Sequence, residues 1–163
     1  MDSVDITKVL IPEMTFLDME TFQDKEDLFS YISRKLKENG IVLDAEKFEQ
    51  ALYARENEGS TYIGQMLALP HGICDEVLSP GVSFCRVKTP FLYKSHGEEG
   101  LVKFIFTMAI VQQGGKSQHL KILAELARLL AHDDFLEILG KVDSYEELVD
   151  SIKIMKEREE LCI

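Results

Sequence analysis

The chain has 163 residues and a formal net charge of −11, with 45% apolar and 29% charged residues. This length fits one domain with a hydrophobic core of its own. Nucleic acid and anionic membrane surfaces both repel a strongly acidic protein, so the charge excludes general affinity for either and favours a basic protein partner.

Cysteine usage and the first residues predict a cytoplasmic protein. Cys74, Cys85 and Cys162 are too few and too scattered for a disulfide framework, and no CxxC pair indicates a zinc site. Free thiols are typical of a reducing compartment. The N-terminus lacks the basic and apolar regions of a signal peptide, and no run of about 18 apolar residues suits a bilayer span. We therefore expect no direct membrane insertion.

Two helices are predicted in the first third of the chain. Asp24 is suited to the N-cap of the first, whose apolar stripe ends at Gly40. The second begins near Asp44 and turns Phe48 inward. Arg55 lies on the same inner face as Phe48, in the last turn. A guanidinium in that position indicates an anionic neighbour.

The middle of the chain is predicted to be β-structure. Short strands are predicted at residues 61–64, 66–69 and 82–87. The polar stretch 89–100 is predicted to be a loop. Residues 101–111 are almost continuously apolar, which is typical of a central strand covered by helices on both faces.

Helices are again predicted after the central strand. A strong helix runs from Ser117 to about Ala131, and its predicted inner face comprises Leu120, Leu123, Ala127 and Leu130. A short helical turn follows at 133–139, and Ser144 opens the last helix through a capping box. We therefore predict a single α/β domain over residues 1–163, with a mixed β-sheet flanked by helices on both faces. The strand order stays open.

His71 is the first candidate site residue. It follows an apolar strand and Pro70, and Gly72 comes directly after it. Proline fixes the local backbone, glycine admits a bulky group, and open α/β sheets bind ligands at the carboxyl ends of their strands. A histidine that merely hydrogen-bonds its own loop has the same sequence context, so His71 alone does not decide the function.

His119 is the second candidate, in the predicted first turn of the helix that follows the central strand. The positive end of a helix attracts anions and disfavours imidazolium, so a neutral histidine there is suited to stand beside a phosphate. A partly exposed histidine with no task fits the same pattern. His96, in a polar stretch, and His132, at a helix end, are interpreted as incidental.

Together, His71, His119 and Arg55 are more informative than any one of them. A nucleophilic imidazole, a fixed cation and a helix N-terminus are suited to hold a phosphoryl group. A metal-dependent hydrolase built on the histidines is the least favoured class, because its ligand set is incomplete. No HExxH, Walker or GxSxG motif occurs, and we predict neither a cofactor nor a metal.

Residues 55–72 carry a family resemblance. They contain an arginine–glutamate pair, a serine–threonine pair before an isoleucine–glycine pair, and a small-apolar-Pro-His ending. The apolar strand up to Val111 and residues 119–127 continue the likeness. In the order and spacing of these motifs the chain resembles the fructose/mannitol (type 2) enzyme IIA components of the bacterial sugar phosphotransferase system.

The resemblance implies a phosphocarrier in sugar uptake. It implies that Nε2 of His71 accepts a phosphoryl group from the phosphocarrier protein HPr and passes it to a cysteine of a IIB component. Arg55 and His119 match supporting residues of the family, and Thr61 is a possible hydroxyl near the site. The alternative is a regulatory phosphoprotein of the nitrogen-related enzyme IIA branch. The sugar, whether fructose, mannitol or another, cannot be read from the sequence.

Overall fold

The elements run from a short N-terminal helix to a long C-terminal one. A computed structural model describes residues 5–161, and the side chains of residues 5–159. Cys162 lies outside the described residues. The helices are α1 (Ile6–Val9), α2 (Lys25–Glu38), α3 (Ala45–Glu56), α4 (Gly115–Leu130), α5 (Asp133–Lys141) and α6 (Tyr145–Leu161). The strands are β1 (Leu10–Met19), β2 (Tyr62–Gly64), β3 (Leu67–Ala68), β4 (His71–Cys74), β5 (Gly81–Ser95) and β6 (Glu98–Val111).

Three of the helices begin at their predicted starts. The side chains of Asp24, Asp44 and Ser144 each accept a hydrogen bond from the backbone N–H three residues further on. Each bond satisfies a donor that the first helical turn leaves without a partner. The predicted starts of α2, α3 and α6 are therefore confirmed.

The sheet is mixed, as predicted. Within the described residues it has six strands in the order β1-β5-β6-β3-β2, and β4 also pairs with β6. β5 and β6 are antiparallel, whereas β1 runs parallel to β5. β3 and β4 both run parallel to β6, with Leu67 opposite Phe104 and His71 opposite Met108. The apolar strand β6 is therefore central, which confirms its prediction.

Helices cover both faces of this sheet, because side chains alternate along its central strands. Phe84 and Phe106 belong to a buried cluster that includes residues of α1, α4, α5 and α6. Their neighbours in the sequence face the other way. Cys85, which follows Phe84, and Ile105, which precedes Phe106, belong to a second cluster with residues of α2 and α3. The predicted layering is confirmed. No helix within residues 5–161 combines the length and the apolarity that crossing a bilayer requires.

The predicted loop at 89–100 is wrong, because these residues form the turn end of the β-hairpin of β5 and β6. β5 continues to Ser95, and a two-residue turn at His96 and Gly97 leads into β6. Both turn residues have positive φ, at 46° and 85°, as a type I′ hairpin requires. A register shift between Arg86 and Phe91 interrupts the apolar alternation of β5, which is why the sequence pattern ended too early.

The predicted inner face of α4 is partly wrong. The buried stripe includes Ile122, Leu126 and Leu129, whereas Leu120 is 64% exposed and Ala127 is also exposed. Two overlapping apolar stripes on this helix both satisfy a 3.6-residue period, so periodicity alone could not choose between them.

α4 also begins earlier than predicted, at Gly115, and this moves His119 from the first turn to the start of the second. Elements α1, β1 and β4 were not predicted as such. β4 is only four residues long, too short for a periodic signal.

The rotation of α4 can be tested by matched leucine substitutions. We expect Leu126→Ala, at a fully buried position, to lower the free energy of unfolding by about 2–5 kcal/mol through lost burial and a cavity. Leu120→Ala, at an exposed position of the same helix, should change it by less than about 0.5 kcal/mol. Urea denaturation measures both. Equal losses would show that α4 faces the sheet differently.

Candidate functional site

The structure brings His71, His119 and Arg55 together in one cleft. Nε of Arg55 lies 2.9 Å from Nε2 of His71. The ring centroids of His71 and His119 are 4.6 Å apart. Three separate segments of the chain supply these side chains, at the end of α3, the start of β4 and the second turn of α4.

The strand β6 explains why the two histidines meet. His71 opens β4 and lies opposite Met108, near the carboxyl end of β6. β6 then leads through Gly114, with φ 78°, directly into α4 and His119. His71 thus follows the short strand β3 and Pro70, as the sequence indicated, and it is also the first residue of β4, a strand that the sequence did not predict.

Close packing of α3 against β4 brings Arg55 to the same place. A Cβ at Gly72 would lie 3.0 Å from the Phe48 ring and 3.3 Å from Cβ of Ala51. Such distances are tighter than ordinary van der Waals contact, so glycine allows the helix to lie directly over the strand. One helical turn further on, Arg55 reaches His71.

The hydrogen bonds of His71 define its tautomer. Nδ1 lies 3.2 Å from the carbonyl oxygen of Leu69, which can only accept, so Nδ1 carries the proton. Nε2 accepts from the Arg55 guanidinium, which can only donate, so Nε2 carries a lone pair. Arg55 is itself held by the carbonyl of Gly59, which accepts from Nη1 at 2.8 Å. The imidazole is therefore neutral with Nε2 as its basic atom.

The local field keeps both imidazoles neutral. Burial lowers the pKa of His71 below its ordinary value of 6.5, and the Arg55 charge lowers it further, against the Leu69 carbonyl. Burial, His71 and Arg55 together lower the pKa of His119 to about 4. Nδ1 of His119 is buried and has no hydrogen-bond partner among the residues that the structure describes.

The cleft around these residues has a volume of about 300 Å³. Arg55, His71 and His119 line it together with Lys116 and Glu58. Its remaining walls are apolar and consist of Ala51, Ala54, Ile73, Ile110 and Leu120. The sequence patterns did not indicate Lys116 and Leu120 as cleft residues. Their closeness to His119 in the sequence was the available signal.

Other candidates lie elsewhere. Thr61 is 2% exposed, and its hydroxyl hydrogen-bonds Glu56 and Tyr93 and does not line the cleft. His96 forms the hairpin turn, and Nε2 of His132 lies 2.9 Å from Glu159. Among the described residues, no group of three or more His, Cys, Asp or Glu side chains could hold a metal ion.

A family model establishes the class of protein. The model described as "Phosphoenolpyruvate-dependent sugar phosphotransferase system, EIIA 2" matches residues 8–155. The chain therefore belongs to this family, and it is a phosphotransferase component. The family resemblance found in the sequence is confirmed.

Known relatives are consistent with this membership. The fructose-specific EIIA component of Haloferax volcanii is 30% identical over 150 residues, which cover 92% of this chain and 96% of the relative. The mannitol-specific enzyme IIA component of Bacillus subtilis is 29% identical over 133 residues, covering 80% and 87%. The mannitol-specific EIICBA component of Pasteurella multocida is 27% identical over 148 residues, and the chain spans only 23% of its length.

Solved structures share the fold. The nitrogen regulatory protein IIA-Ntr of Neisseria meningitidis matches with a TM-score of 0.78 and 29% identity, over 90% of this chain and 98% of that one. Enzyme IIAMTL of Escherichia coli, solved in complex with phosphorylated enzyme IIBMTL, matches with a TM-score of 0.70 and 24% identity, over 86% and 94%. The second likeness concerns the fold alone.

The Arg55–His71 contact makes a prediction about titration. Arg55→Gln removes the cation beside Nε2, so we expect the pKa of His71 to rise towards 6.5. Imidazole ¹⁵N NMR measures both the pKa and the tautomer. Arg34→Gln, on the exposed face of α2, is the matched control and should leave His71 unchanged. An unaltered pKa in Arg55→Gln would contradict the contact.

Proposed function

We propose that the chain is a phosphocarrier of bacterial sugar uptake. In this proposal His71 accepts a phosphoryl group from phospho-HPr on Nε2 and passes it to a cysteine of a IIB component. The sugar is fructose, mannitol or a related compound. The observation that carries the proposal is the state of His71, a neutral imidazole whose basic Nε2 faces a cleft with a guanidinium beside it.

The acceptance step balances without a proton at Nε2. The Nε2 lone pair attacks the phosphorus of the donor phosphohistidine, and a new N–P bond forms as the old one breaks. The electron pair of the broken bond returns to the donor imidazole. Nδ1 of His71 keeps its proton throughout, and the Leu69 carbonyl stabilises the positive charge that the ring acquires.

The onward step reverses these roles. A thiolate of the IIB component attacks the same phosphorus, an S–P bond forms, and the N–P pair returns to Nε2 of His71. A low pKa makes Nε2 a better leaving group in this step, and in the first step it keeps Nε2 unprotonated and able to attack. The pKa of His71 is lowered by burial and by Arg55, so the same environment serves both transfers.

Arg55 has to exchange its partner during the reaction. In this structure its Nε–H donates to the lone pair that would attack phosphorus. As the phosphoryl group arrives, its oxygens become stronger acceptors than the neutral imidazole, and the guanidinium transfers its hydrogen bonds to them. Arg55 thus protects Nε2 from protonation before transfer and binds the charge after it.

His119 and Lys116 complete the arrangement. With a pKa of about 4, His119 is neutral at physiological pH and can share a hydrogen bond with a phosphoryl oxygen without a competing proton equilibrium. Lys116 lines the same cleft and supplies a second positive charge. No cofactor or metal is needed for this chemistry.

The cleft rim fits transient protein partners. Leu120 is 64% exposed beside His119, and Ile73 and Ala54 also line the cleft, so an apolar surface surrounds the reacting ring. A carrier must release each partner after one transfer, which requires modest interfaces. The solved IIAMTL–IIBMTL complex supports a IIB partner, and the family supports HPr as the donor.

The proposal includes the extent and location of the protein. It treats residues 1–163 as one enzyme IIA unit, acting in the cytoplasm where HPr and IIB components meet. The family model, which spans most of these residues, supports the first point. The free cysteines Cys74 and Cys85 support the second, because unpaired thiols suit a reducing compartment.

A regulatory role is the second candidate. The likeness to IIA-Ntr of Neisseria meningitidis, with a TM-score of 0.78, favours it. A regulator would carry the same phosphohistidine but would use it to change its binding to other proteins. The cleft chemistry is common to both candidates, so only the fate of the phosphoryl group separates them.

Phosphorylation can be tested directly. We expect incubation with phosphoenolpyruvate, enzyme I and HPr to place one acid-labile phosphoryl group on the chain. His71→Gln should abolish it, because no other imidazole in the described residues combines the cleft with the Arg55 contact. His96→Asn, at the hairpin turn, is the matched control and should be labelled normally. Labelling that persists in His71→Gln would overturn the assignment.

Transfer to a IIB component separates the two candidates. We expect the phosphorylated chain to lose its phosphoryl group to the cysteine of a fructose- or mannitol-type IIB. Leu120→Ala should raise the KM for IIB several-fold by removing exposed apolar surface, while Leu92→Ala, exposed on the hairpin, should not. Quench-flow with ³²P measures both. Retention of the phosphoryl group with every IIB of these types would favour the regulatory role.

A further inference from the structure

A buried polar cluster adjoins Arg55, and none of its members lines the cleft. We call it the Glu56 cluster, and its members are Lys25, Glu56, Thr61, Tyr93 and Ser95. Glu56 is 5% exposed, Thr61 2%, Ser95 1% and Tyr93 0%. Burying a carboxylate this deeply is unfavourable unless all its acceptor sites are used.

Three hydrogen bonds of the cluster converge on the Glu56 carboxylate, and two more join the residues around it. Oε1 accepts from Lys25 Nζ at 3.2 Å and from Ser95 Oγ at 2.5 Å. Oε2 accepts from Thr61 Oγ1 at 2.5 Å. Since the hydrogen of the Thr61 hydroxyl is used in the bond to Glu56, the Thr61 oxygen accepts from the Tyr93 hydroxyl, at 2.7 Å. The backbone N–H of Thr61 donates to Ser95 Oγ at 2.9 Å.

This network fixes the segment that holds Arg55. Glu56 is the residue after Arg55, at the end of α3, and Thr61 lies two residues after Gly59. The cluster ties both of them to β5, through Tyr93 and Ser95. The Gly59 carbonyl that accepts from Arg55 Nη1 lies between these two attachments. Both the backbone of Arg55 and its second hydrogen-bond partner are therefore fixed by the cluster.

We propose that Glu56 and Thr61 are positioning residues that hold Arg55 against Nε2 of His71. Neither side chain lines the cleft, so both act through Arg55. This assigns Thr61 a role different from the hydroxyl near the phosphate that the sequence indicated. The inference rests on the proposed function for its effect on transfer, but the Arg55–His71 contact itself exists without phosphorylation.

The charge of Glu56 allows positioning to be separated from a direct electrostatic effect. The negative charge of Glu56 raises the pKa of His71, whereas the Arg55 cation lowers it. Removing the Glu56 charge with Arg55 in place would therefore lower the pKa of His71. Releasing Arg55 from Nε2 would raise it. Thr61→Val changes no charge, so any rise in that variant reports on Arg55 alone.

The test combines variants of the cluster with a matched control. Thr61→Val removes the hydroxyl, Thr61→Ser restores it, and Glu56→Gln removes the central charge. Glu125→Gln is the control, since Glu125 is 4% exposed and accepts from Lys156 Nζ at 2.7 Å, far from the Glu56 cluster in the fold. Each variant is measured for urea stability, for the pKa of His71 by ¹⁵N NMR and for the rate of phosphoryl transfer from phospho-HPr.

We expect Thr61→Val to raise the pKa of His71 and to slow transfer about 10- to 100-fold, as a misplaced transition-state contact does. Thr61→Ser should restore both. Glu56→Gln should also raise the pKa of His71, because Arg55 is the larger of the two opposing charge effects and its release outweighs the loss of the Glu56 charge. Glu125→Gln should lose stability without changing either. If Thr61→Val does not fold, Ser95→Ala breaks the other link between this segment and β5 and takes its place.

Two results would overturn the inference. One is a loss of stability in Thr61→Val or Ser95→Ala with an unchanged pKa of His71. The other is a pKa shift of equal size in Glu125→Gln. If the unaltered protein accepts no phosphoryl group from phospho-HPr, the proposed function fails, but the NMR measurements still decide whether the Glu56 cluster positions Arg55.

Discussion

The hydrogen bond from Arg55 to Nε2 of His71 is the interaction on which the site depends. A guanidinium is protonated at every physiological pH and can only donate, so the nitrogen that faces it must keep its lone pair. The Leu69 carbonyl imposes the opposite state on Nδ1. The two contacts together leave one tautomer of one neutral imidazole, and that is the form in which a histidine is a nucleophile.

The fold produces this contact because two short strands pair with different parts of the same long strand, β6. β3 and β4 are both short, and both pair with β6, so the chain between them places His71 beside the last residues of β6. β6 continues through Gly114 into α4, which brings His119 to the same point. α3 lies closely over Gly72, and its end delivers Arg55. Three segments that are distant in the sequence therefore converge at the end of β6: β4 pairs with it, α4 follows it, and α3 packs on β4.

Sequence patterns predicted local features better than long-range ones. Asp24 was recognised as an N-cap and Ser144 as the start of a capping box because a cap depends on the next three residues alone. The hairpin within 89–100 was missed because a register shift, which depends on the partner strand, interrupts its alternation. The exposure of Leu120 depends on which stripe of α4 meets the sheet. The direction of the Thr61 hydroxyl depends on Tyr93, which is remote in the sequence, and on the buried carboxylate of Glu56. Such features follow from tertiary contacts that no short window contains.

The acidic character of the chain does not conflict with a phosphoryl site. The formal charge is −11, and a phosphoryl group adds about −1.5 to −2. Salt at physiological ionic strength screens exposed charges beyond about 8 Å, so the distant carboxylates matter little at Nε2. Glu56 and Glu125 are buried exceptions, and the charge of Glu56, the one adjoining Arg55, is balanced by Lys25 and by hydrogen bonds from the hydroxyl groups of Thr61 and Ser95. The field at Nε2 is therefore dominated by the half-buried guanidinium of Arg55, which is in direct contact with the ring, while Lys116 lines the cleft from an exposed position where water screens its charge.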